Sequence, residues 1–563
     1  MDEDWQPFDR VKDISYRLVS WPSESGTPGE AAFADRLADL LREIPYFRDN
    51  PDDIAVLDSH GSPMAKNVVA VVRGKGTRTL ALGGHFDTVA TTNYLDLQHL
   101  ACQPDALREA LITDLESRPL SNAEARALDD LRSGDFIPGR GMLDMKSGVA
   151  AGIAVLERFS EWPDRKGNLV LFATPDEERN SRGMRALRDA LPALATRWNL
   201  DLVGGINLDA TSDQGDGAEG RAIYYGTIGK LLPFAFVIGQ PSHASYPFEG
   251  VSAHRIAAEI MLALEANPAL CDTGNGEVSP PPICLEAKDL RGGYEVTTPD
   301  KVWLAFNWLF HSRSSSDLQA DFNALVHQAM RRALDDFAAK AGAYARLVSS
   351  STPAVRIDTE APPDAGKPAL AGRVIPFCDL RAQAFRSRAV AERYTALETE
   401  LQANDNPLDV TRRLVALLVA EVRLTGPVVV TGFSSLHYPH SHLDESRPLD
   451  RDFAAAIDRA RQAIEARHRT RFRRREYFTG ISDMSFFGTA GDGSNCTIVA
   501  DNTPANLWVD QPPSDALDYP VVNIGPWGRE FHQRLERLHA PYGFDIFPRF
   551  ILEIVGEVFG QRP

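Results

Sequence analysis

Two side chains at one predicted strand end are suited to binding and orienting a metal ion. His85 and Asp87 lie two residues apart at the end of a predicted strand over 79–87, so they project from the same face. A metal-bound histidine usually donates its second ring N–H to a carboxylate or carbonyl, so one of the pair can bind and the other orient. An HxD pair at a strand end is also a common surface or capping feature, and alone it decides nothing.

A second group is acidic. Asp176, Glu177 and Glu178 directly follow the predicted buried strand over 168–175. Burying one ionised carboxylate costs roughly several kcal/mol, and neighbouring carboxylates also repel one another. A bound divalent cation would compensate this negative charge. In isolation, a solvated acidic loop is the simpler explanation of these three residues.

Three further residues occupy comparable positions. Asp144 precedes a helical pattern and Asp209 closes a predicted strand over 202–209, while His532 lies near the C-terminus. An aspartate at a helix start also caps exposed N–H groups, which stabilises a helix by about 1 kcal/mol. Single histidines are more often solvated than metal-bound. Only the combination of all these positions favours a metal site.

The elements that must position these residues alternate along the chain. Strands are predicted at 67–74, 79–87, 168–175 and 202–209, with helices over 8–44, after Asp144 and at 181–198, which is typical of an α/β domain with a mixed, mostly parallel sheet. In such a domain the active residues gather beyond the carboxyl ends of the strands.

The middle of the chain has a different pattern. Strand-like segments at 221–240, 281–290 and 301–310 and helices at 251–265 and 317–342 suggest an inserted α+β domain of ferredoxin-like type. We expect a catalytic domain at 1–212 and 448–563 and a second domain at 213–447, which includes an insertion at about 346–425 before the strand PVVVTGF. The insertion at 90–135 has no assigned role.

Composition narrows the class of partner. With 60 basic and 78 acidic residues, the chain of 563 residues carries a net charge of −18, which argues against nucleic acid or anionic lipid. No secretory signal and no apolar run long enough to span a membrane is visible, so we expect a cytoplasmic protein with a small-molecule substrate. Five dispersed cysteines without a CxxC pair fit reduced thiols, so a bound metal would have nitrogen and oxygen ligands.

Taken in order, the segments GGHFDTV, GRGMLDMKSG, TPDEERNSRG, the strand-end Asp209 and GPWGREFHQRLE resemble the M20 metallopeptidase and aminoacylase superfamily. The chain length and the segments PVVVTGFSSLHYPH and GISDMSFF most resemble the arginine-utilisation RocB-like branch. The resemblance covers the catalytic segments well and the middle loosely, and the step from His85 to Asp144 is longer than usual.

The resemblance implies two divalent metal ions. One would be bound by His85 and Asp209 and the other by Glu178 and His532, with Asp144 bridging them. Zinc fits these ligands best, although cobalt or manganese can occupy such a set. Glu177 would act as general base and then general acid, with Asp87 supporting His85.

The resemblance also implies roles for residues of the second domain. In this family the corresponding domain is a lid through which the protein can form a homodimer. His243 resembles a lid histidine that stabilises the oxyanion, often across a dimer interface; a histidine in a packing turn is the alternative. Asn307 and Arg313 lie where a substrate carboxylate is often bound, although the spacing departs from the family pattern.

Two loops remain open. Asp483 either binds a substrate amine or only shapes its loop. His437, His440 and His442 form either a further metal site or an exposed loop.

The expected reaction is hydrolysis of a C–N amide bond in a dipeptide or N-acyl amino acid, with a link to arginine catabolism. Hydrolysis of an N-carbamoyl or ureido group, as in a citrulline-like compound, is an alternative that the motifs do not separate. A non-catalytic binding protein on the same fold is the alternative of another class, although neither a ligand nor the base is missing.

Overall fold

The computed structural model describes residues 5–350, 371–404, 406–489 and 493–561. The chain divides into two compact units. The first contains the described residues of Met1–Ile228, His440–Gly491 and Pro512–Pro563, and the second those of Gly229–Pro439 and Asp492–Gln511. The first unit therefore comprises chain segments on either side of the second.

An eight-stranded mixed sheet forms the centre of the first unit. In spatial order its strands are Ile54–His60, Ala65–Val72, Lys166–Thr174, Lys75–His85, Asp201–Asn207, Val521–Asn523, Ala222–Tyr224 and Arg473–Arg475. The strand Lys75–His85 pairs in parallel with Lys166–Thr174 on one side and with Asp201–Asn207 on the other. These central strands are nearly continuous runs of buried residues, as expected for parallel strands that are covered on both faces.

Most helices of this unit pack with the sheet, and two of them, Pro104–Glu116 and Asn122–Ser133, form a separate hydrophobic cluster. The helices are Phe8–Val19, Pro28–Arg42, Pro45–Asp49, Pro104–Glu116, Asn122–Ser133, Ser147–Ser160, Arg182–Trp198, Pro448–His468 and Phe547–Phe559. The helix Ser147–Ser160 is rich in Gly and Ala and almost wholly buried. Small side chains let it lie close to the sheet, and this proximity fixes the position of the loop just before it.

A separate four-stranded sheet organises the C-terminal part of the first unit. Its order is Phe136–Pro138, Arg537–His539, Trp527–Arg529 and Thr211–Ser212. The stretch FHQRLERLHAPYGFDIFPRFILEIVGEVF, which begins at Phe531, looks from its sequence like terminal helices, and this prediction was wrong for residues 531–539. The strand Arg537–His539 pairs with Trp527–Arg529 and with Phe136–Pro138, and the helix begins only at Phe547.

The second unit is built on a six-stranded sheet. Its order is Gly229–Leu231, Lys301–Phe310, Pro233–Ile238, Val428–Phe433 and Arg373–Pro376, with Ile283–Asp289 also paired to Lys301–Phe310. Its helices are Ala253–Leu264, Ser315–Ser350, Phe377–Ala384, Arg388–Glu400, Pro407–Glu421 and Gly493–Asn502. Of the insertion expected at 346–425, residues 351–370 lie outside the described residues.

The expected α/β class is confirmed, with a mixed sheet in the first unit and a separate α+β unit. In the described part of the chain, no helix has the length and apolarity needed to cross a membrane. All five cysteines are free thiols.

Candidate metal centre

Three adjacent parallel strands bring four of the predicted site residues to one edge of the sheet. His85 ends the central strand, Glu177 and Glu178 follow the neighbouring strand Lys166–Thr174, and Asp209 follows Asp201–Asn207 on the other side. Parallel strands end at the same edge, so residues far apart in sequence converge there.

Asp144 lies between the two predicted histidine ligands. Its Oδ1 is 3.2 Å from Nε2 of His85, and its Oδ2 is 3.1 Å from Nε2 of His532. Nε2 of His532 is also 3.0 Å from Oε2 of Glu178, and Nε2 of His85 is 3.8 Å from Oδ1 of Asp209. No side-chain capping bond is formed at the start of the helix Ser147–Ser160. The carboxylate is therefore aimed at the histidines, as a bridging ligand would be.

These atoms are spaced as ligands around shared cations. Four tetrahedral zinc ligands, each about 2.0–2.1 Å from the metal, lie about 3.3 Å from one another. Ligand atoms of His85, Asp144 and Glu178 lie within 4.8 Å of one another, and so do those of His85, Glu177 and Asp209. Nε2 of His85 is buried and has no hydrogen-bond partner, as a free ligand atom requires.

The negative charge of the cluster also favours bound cations. The cluster contains four carboxylates, from Asp144, Glu177, Glu178 and Asp209, against two imidazoles. Burial raises the pKa of Glu177 well above its ordinary value, and His85 only partly offsets this. Burial likewise raises the pKa of Asp209. So many buried acids call for compensating positive charge, and the donor set fits a pair of divalent ions.

Asp87 holds both the histidine and the acidic loop in place. Nδ1 of His85 lies 3.1 Å from the carbonyl oxygen of Asp87, which favours the tautomer with Nε2 free to bind a metal. The Asp87 carboxylate accepts hydrogen bonds from the N–H groups of Glu177 and Glu178, at 3.1 and 3.2 Å, and from Oγ of Ser25 at 2.7 Å. It therefore orients one histidine and two glutamates.

Glu536 was not anticipated from the sequence. It is completely buried and pairs with the buried Arg140, and its Oε1 accepts hydrogen bonds from the N–H groups of Gly141, Leu143 and Asp144 at 3.1–3.4 Å. Glu536 thereby ties the loop that carries Asp144 to the loop that carries His532. The only feature of the sequence that could have indicated its role is its position four residues after His532. A glutamate on the surface could occupy the same position.

The insertion at 90–135 contacts the same loop. Nδ2 of Asn93 donates to the carbonyl oxygen of His532 at 2.9 Å. Asp130 forms ion pairs with Arg529 at 2.5 Å and with Arg537 at 2.7 Å, and Asp114 pairs with Arg534 at 2.9 Å. His532 has a φ of +64°, a strained value for a residue with a side chain. The inserted segment therefore helps to hold the loop of His532 in a conformation that it would not adopt freely.

Asp483 also lies in the first unit, in a buried position. Its Oδ2 accepts a hydrogen bond from Oγ1 of Thr174 at 2.9 Å, and Thr174 is paired in register with His85. Its Oδ1 is buried and has no hydrogen-bond partner among the described residues. Burial raises the pKa of Asp483 to about 7.

The other predicted site residues belong to the second unit. His243 is exposed, and its Nδ1 accepts the N–H of Ser245 at 3.1 Å. Asn307 lies within the strand Lys301–Phe310, and the guanidinium of Arg313 is paired with Asp321 at 2.5 Å.

The three histidines of the loop LHYPHSH do not form a convergent ligand group in the described part of the chain. His437 lies 3.2 Å from Oγ of Ser315, and His442 lies 2.9 Å from Oε2 of Glu476.

A third group of potential ligands lies behind the acidic loop and contains Glu30, His60 and Asp176. Both oxygens of Asp176 already accept hydrogen bonds from Arg182, at 2.7 and 2.8 Å. A guanidinium in that position neutralises the carboxylate and would repel a cation. We therefore regard this group as structural support for the acidic loop.

The sequence comparisons agree with this geometry. The profile described as Peptidase family M20/M25/M40 matches residues 122–502. The chain is 30% identical over 565 residues to uncharacterized protein YqjN of Bacillus subtilis, covering 99% of this chain and 98% of the relative. It is 26% identical to protein RocB of Bacillus subtilis, over 97% of this chain and 94% of the relative.

Solved structures share the fold. Aminopeptidase PepT from Bacillus cereus aligns with a TM-score of 0.52 and 14% identity, over 98% of both chains. Human carnosine dipeptidase 1 aligns with a TM-score of 0.50 and 12% identity, over 98% of this chain and 96% of the other. With a matching family profile and a relative similar along its whole length, the chain belongs to the M20 peptidase family and is a hydrolase of peptide or amide bonds.

Proposed function

We propose that this chain cleaves the C–N amide bond of a small amino-acid derivative, a dipeptide or an N-acyl amino acid, with two divalent metal ions. The observation that carries the proposal is the position of Asp144, whose two oxygens lie 3.2 and 3.1 Å from Nε2 of His85 and of His532. A carboxylate that faces a histidine on each side suits a bridging ligand between two ions.

In this proposal one ion is held by His85 and Asp209 and the other by Glu178 and His532. All of these donors are nitrogen or oxygen, and we propose zinc as the physiological metal, with cobalt or manganese as substitutes. The His532 side chain is 41% exposed and that of His85 only 2%, so substrate would approach from the His532 side.

When bound, a pair of divalent ions polarises the scissile carbonyl and acidifies the attacking water. Glu177 moves the proton. Its Oε2 lies 3.7 Å from Nε2 of His85, beside the proposed ligands, and its raised pKa suits a group that accepts a proton and then releases it. The proton passes from the water to Glu177 and then to the leaving nitrogen. Asp87 keeps Glu177 in place through the backbone N–H of that residue.

For His243 we propose stabilisation of the oxyanion that forms during attack. Because its Nδ1 accepts the Ser245 N–H, a neutral ring carries its proton on Nε2, which is then available as a donor. His243→Ala should lower kcat by about a hundredfold or more with little change in bound metal. An unchanged kcat would leave this residue with a structural role only. Asn307 and Arg313 stay predictions for binding a substrate carboxylate.

For the substrate side chain we propose a basic group, bound by Asp483. The unpartnered Oδ1 of Asp483 and the similarity to RocB along the chain support this, and they link the proposal to arginine catabolism. Asp483→Asn should reduce kcat/KM for arginine- or ornithine-containing substrates about tenfold more than for alanine-containing ones. An equal loss for both would make Asp483 a purely structural residue.

The test of the function is a substrate panel of dipeptides, N-acyl amino acids and N-carbamoyl amino acids, assayed with the metal-loaded protein. Release of free amino acid from the first two classes is the expected result. Release of ammonia from the carbamoyl class alone would replace the proposal by ureido hydrolysis. Metal-loaded protein that turns over none of the panel would contradict it.

We also propose that a second copy of this chain pairs with the edge strand Ile283–Asp289. Among the described residues this strand pairs only with Lys301–Phe310, and its side chains Ile283 and Leu285 are exposed apolar groups. An exposed edge with apolar side chains favours addition of another strand. Light scattering should find a dimer for the wild type and a monomer for Leu285→Asp. A monomeric wild type would contradict this.

A further inference from the structure

A cavity of about 700 Å³ opens at the edge of the large sheet in the first unit. Its lining combines the loop before the strand Ala222–Tyr224, the end of the helix Pro448–His468 and the segment leading into Arg473–Arg475. Its charged lining residues are Arg221, Arg461, Arg471, Arg473 and Glu465. Small-ligand sites in proteins fall in this size range, roughly 300–1,000 Å³.

The excess of arginine is unusual for this chain. Residues 467–475 read RHRTRFRRR, with six arginines, in a protein whose net charge is −18. Nearby acidic side chains normally neutralise such a run of arginines, and several of these arginines do have acidic partners. Arg473 and Arg475 pair with Glu219, Arg474 pairs with Glu445 and Glu476, and Arg467 pairs with Glu553.

Two lining arginines have no acidic partner among the described residues. Arg471 is exposed and makes neither an ion pair nor a side-chain hydrogen bond there. The guanidinium of Arg221 packs over the ring of Trp527, and its Nε is buried without a hydrogen-bond partner. A guanidinium whose donors are unsatisfied, and partly removed from water, is poised to bind an anion.

The one acid in the lining does not compensate these two charges. Oε1 of Glu465 accepts the N–H of Phe472 at 2.8 Å, and its Oε2 pairs with Arg461 at 3.0 Å. Gln462 and Thr470 add uncharged polar groups to the wall. The cavity therefore keeps an uncompensated positive charge together with neutral hydrogen-bonding groups.

From these observations we propose that the cavity binds a small polyvalent anion, one with two or more phosphate or carboxylate groups, held by Arg471 and Arg221. The cavity is much larger than a single phosphate ion, so the ligand has an organic or polyphosphate body. Arginine suits this role because its planar fork binds phosphate or carboxylate through two hydrogen bonds. Neither the proposed metal ligands nor Glu177 takes part, so the site is separate from the proposed reaction.

Isothermal titration of the metal-loaded full chain with pyrophosphate and with citrate tests the proposal. These probes separate the two chemical classes of ligand, and inorganic phosphate serves as the small reference. Arg471→Gln should weaken binding of the preferred anion by about tenfold or more. Arg388→Gln is the matched control, because Arg388 is a 93% exposed arginine of the second unit, and it should bind the anion as the wild type does.

Anions also bind to catalytic metals, but that contribution is common to all three proteins. Only the binding that Arg471→Gln removes counts in favour of the site. Equal affinities in wild type, Arg471→Gln and Arg388→Gln would overturn the proposal, as would a wild type that binds neither pyrophosphate nor citrate saturably. Because Arg471 is exposed, its replacement leaves the fold intact, and unchanged thermal unfolding of the variant verifies this.

Discussion

Asp144 is the residue on which both proposed metal positions depend. Each of its oxygens faces a different histidine, and its backbone N–H is held by Glu536. The other proposed ligands serve one position each. A change at Asp144 therefore differs in kind from a change at His85 or His532.

Replacement of Asp144 by Ala should reduce bound metal from about two ions per chain to well below one. A bridging ligand has no substitute among its neighbours, so both positions weaken together. Elemental analysis of the dialysed variant measures this. Retention of both ions would contradict the bridging role, whereas His532→Ala should lose only the ion bound with Glu178.

Glu177 should behave in the opposite way. Glu177→Gln keeps the shape of the side chain but cannot accept the proton, so kcat should fall by about 10²- to 10⁴-fold while metal content stays near the wild-type value. Glu161→Gln, at an exposed site near the end of the helix Ser147–Ser160, is the control and should leave both unchanged. If Glu177→Gln lost its metal, the residue would be a ligand and another base would be needed.

For single residues, the sequence is informative where the residue type and its position at a strand end together suggest a function. Adjacent acids after a buried strand and a histidine at a strand end pointed to positions that converge in the structure. Glu536, Arg140 and Asn93 were not foreseen, because a buried glutamate, arginine or asparagine reads like an exposed one. What distinguishes them is a set of contacts between segments up to several hundred residues apart.

Among the elements, the inserted helix Asn122–Ser133 has a specific mechanical role. Its Asp130 is the shared partner of Arg529 and Arg537, which flank the loop of His532. Arg537 is completely buried and Arg529 nearly so. For Arg529 this carboxylate is the one acidic partner among the described residues, whereas Arg537 also pairs with Glu530 at 3.2 Å.

Asp130→Asn should therefore lower the free energy of unfolding by about 3 kcal/mol, because the buried Arg529 loses its acidic partner and Arg537 keeps only Glu530. It should also weaken binding of the ion that we propose for Glu178 and His532 more than binding of the other ion. Asp129→Asn is the matched control on the same helix, because Asp129 is exposed, and it should change stability by less than about 0.5 kcal/mol. Chemical denaturation and metal titration give the two readouts. Equal stability of the two variants would contradict the clamping role.

We expect the stability of the fold to depend on pH through His539, in the strand Arg537–His539. Burial lowers the pKa of His539 to about 4, and its ring stacks on Trp527. An unfolded histidine titrates near about 6.5, so between these values the unfolded chain binds a proton that the folded chain does not. The contribution of His539 should therefore lower the free energy of unfolding as the pH falls from about 6.5 to about 4.

His539→Phe removes that titration and keeps the ring contact. The difference in unfolding free energy between wild type and variant should shift in favour of the variant as pH is lowered through this window. The comparison cancels the titration of other groups. A difference that stays constant from pH 7 to pH 4 would contradict the lowered pKa.

Elements with strong local patterns were predictable, and short ones were not. The helices Phe8–Val19 and Ser147–Ser160 and the central strands have continuous or periodic apolar residues that set their type. The strands Trp527–Arg529 and Arg537–His539 have three residues each and exist because distant segments pair with them. No local pattern in the sequence carries that information.

For the whole molecule, the order of segments along the chain hides how the units are formed. The first unit needs residues from both ends of the chain, and the described residues of Asp492–Gln511 return to the second unit after the first has been re-entered. The strand and helix pattern of the middle region indicated a second domain. Nothing in the composition marks this late return, because its residues resemble those on either side.

In the proposed mechanism the first unit binds two divalent ions, one on each side of Asp144. Elemental analysis of the purified full chain, with hydrolysis of the substrate panel measured before and after chelation, tests this claim most directly. We predict about two ions per chain, loss of activity on chelation and its recovery with zinc, cobalt or manganese. A chain that binds no divalent ion, and that stays inactive when these metals are added, would contradict it.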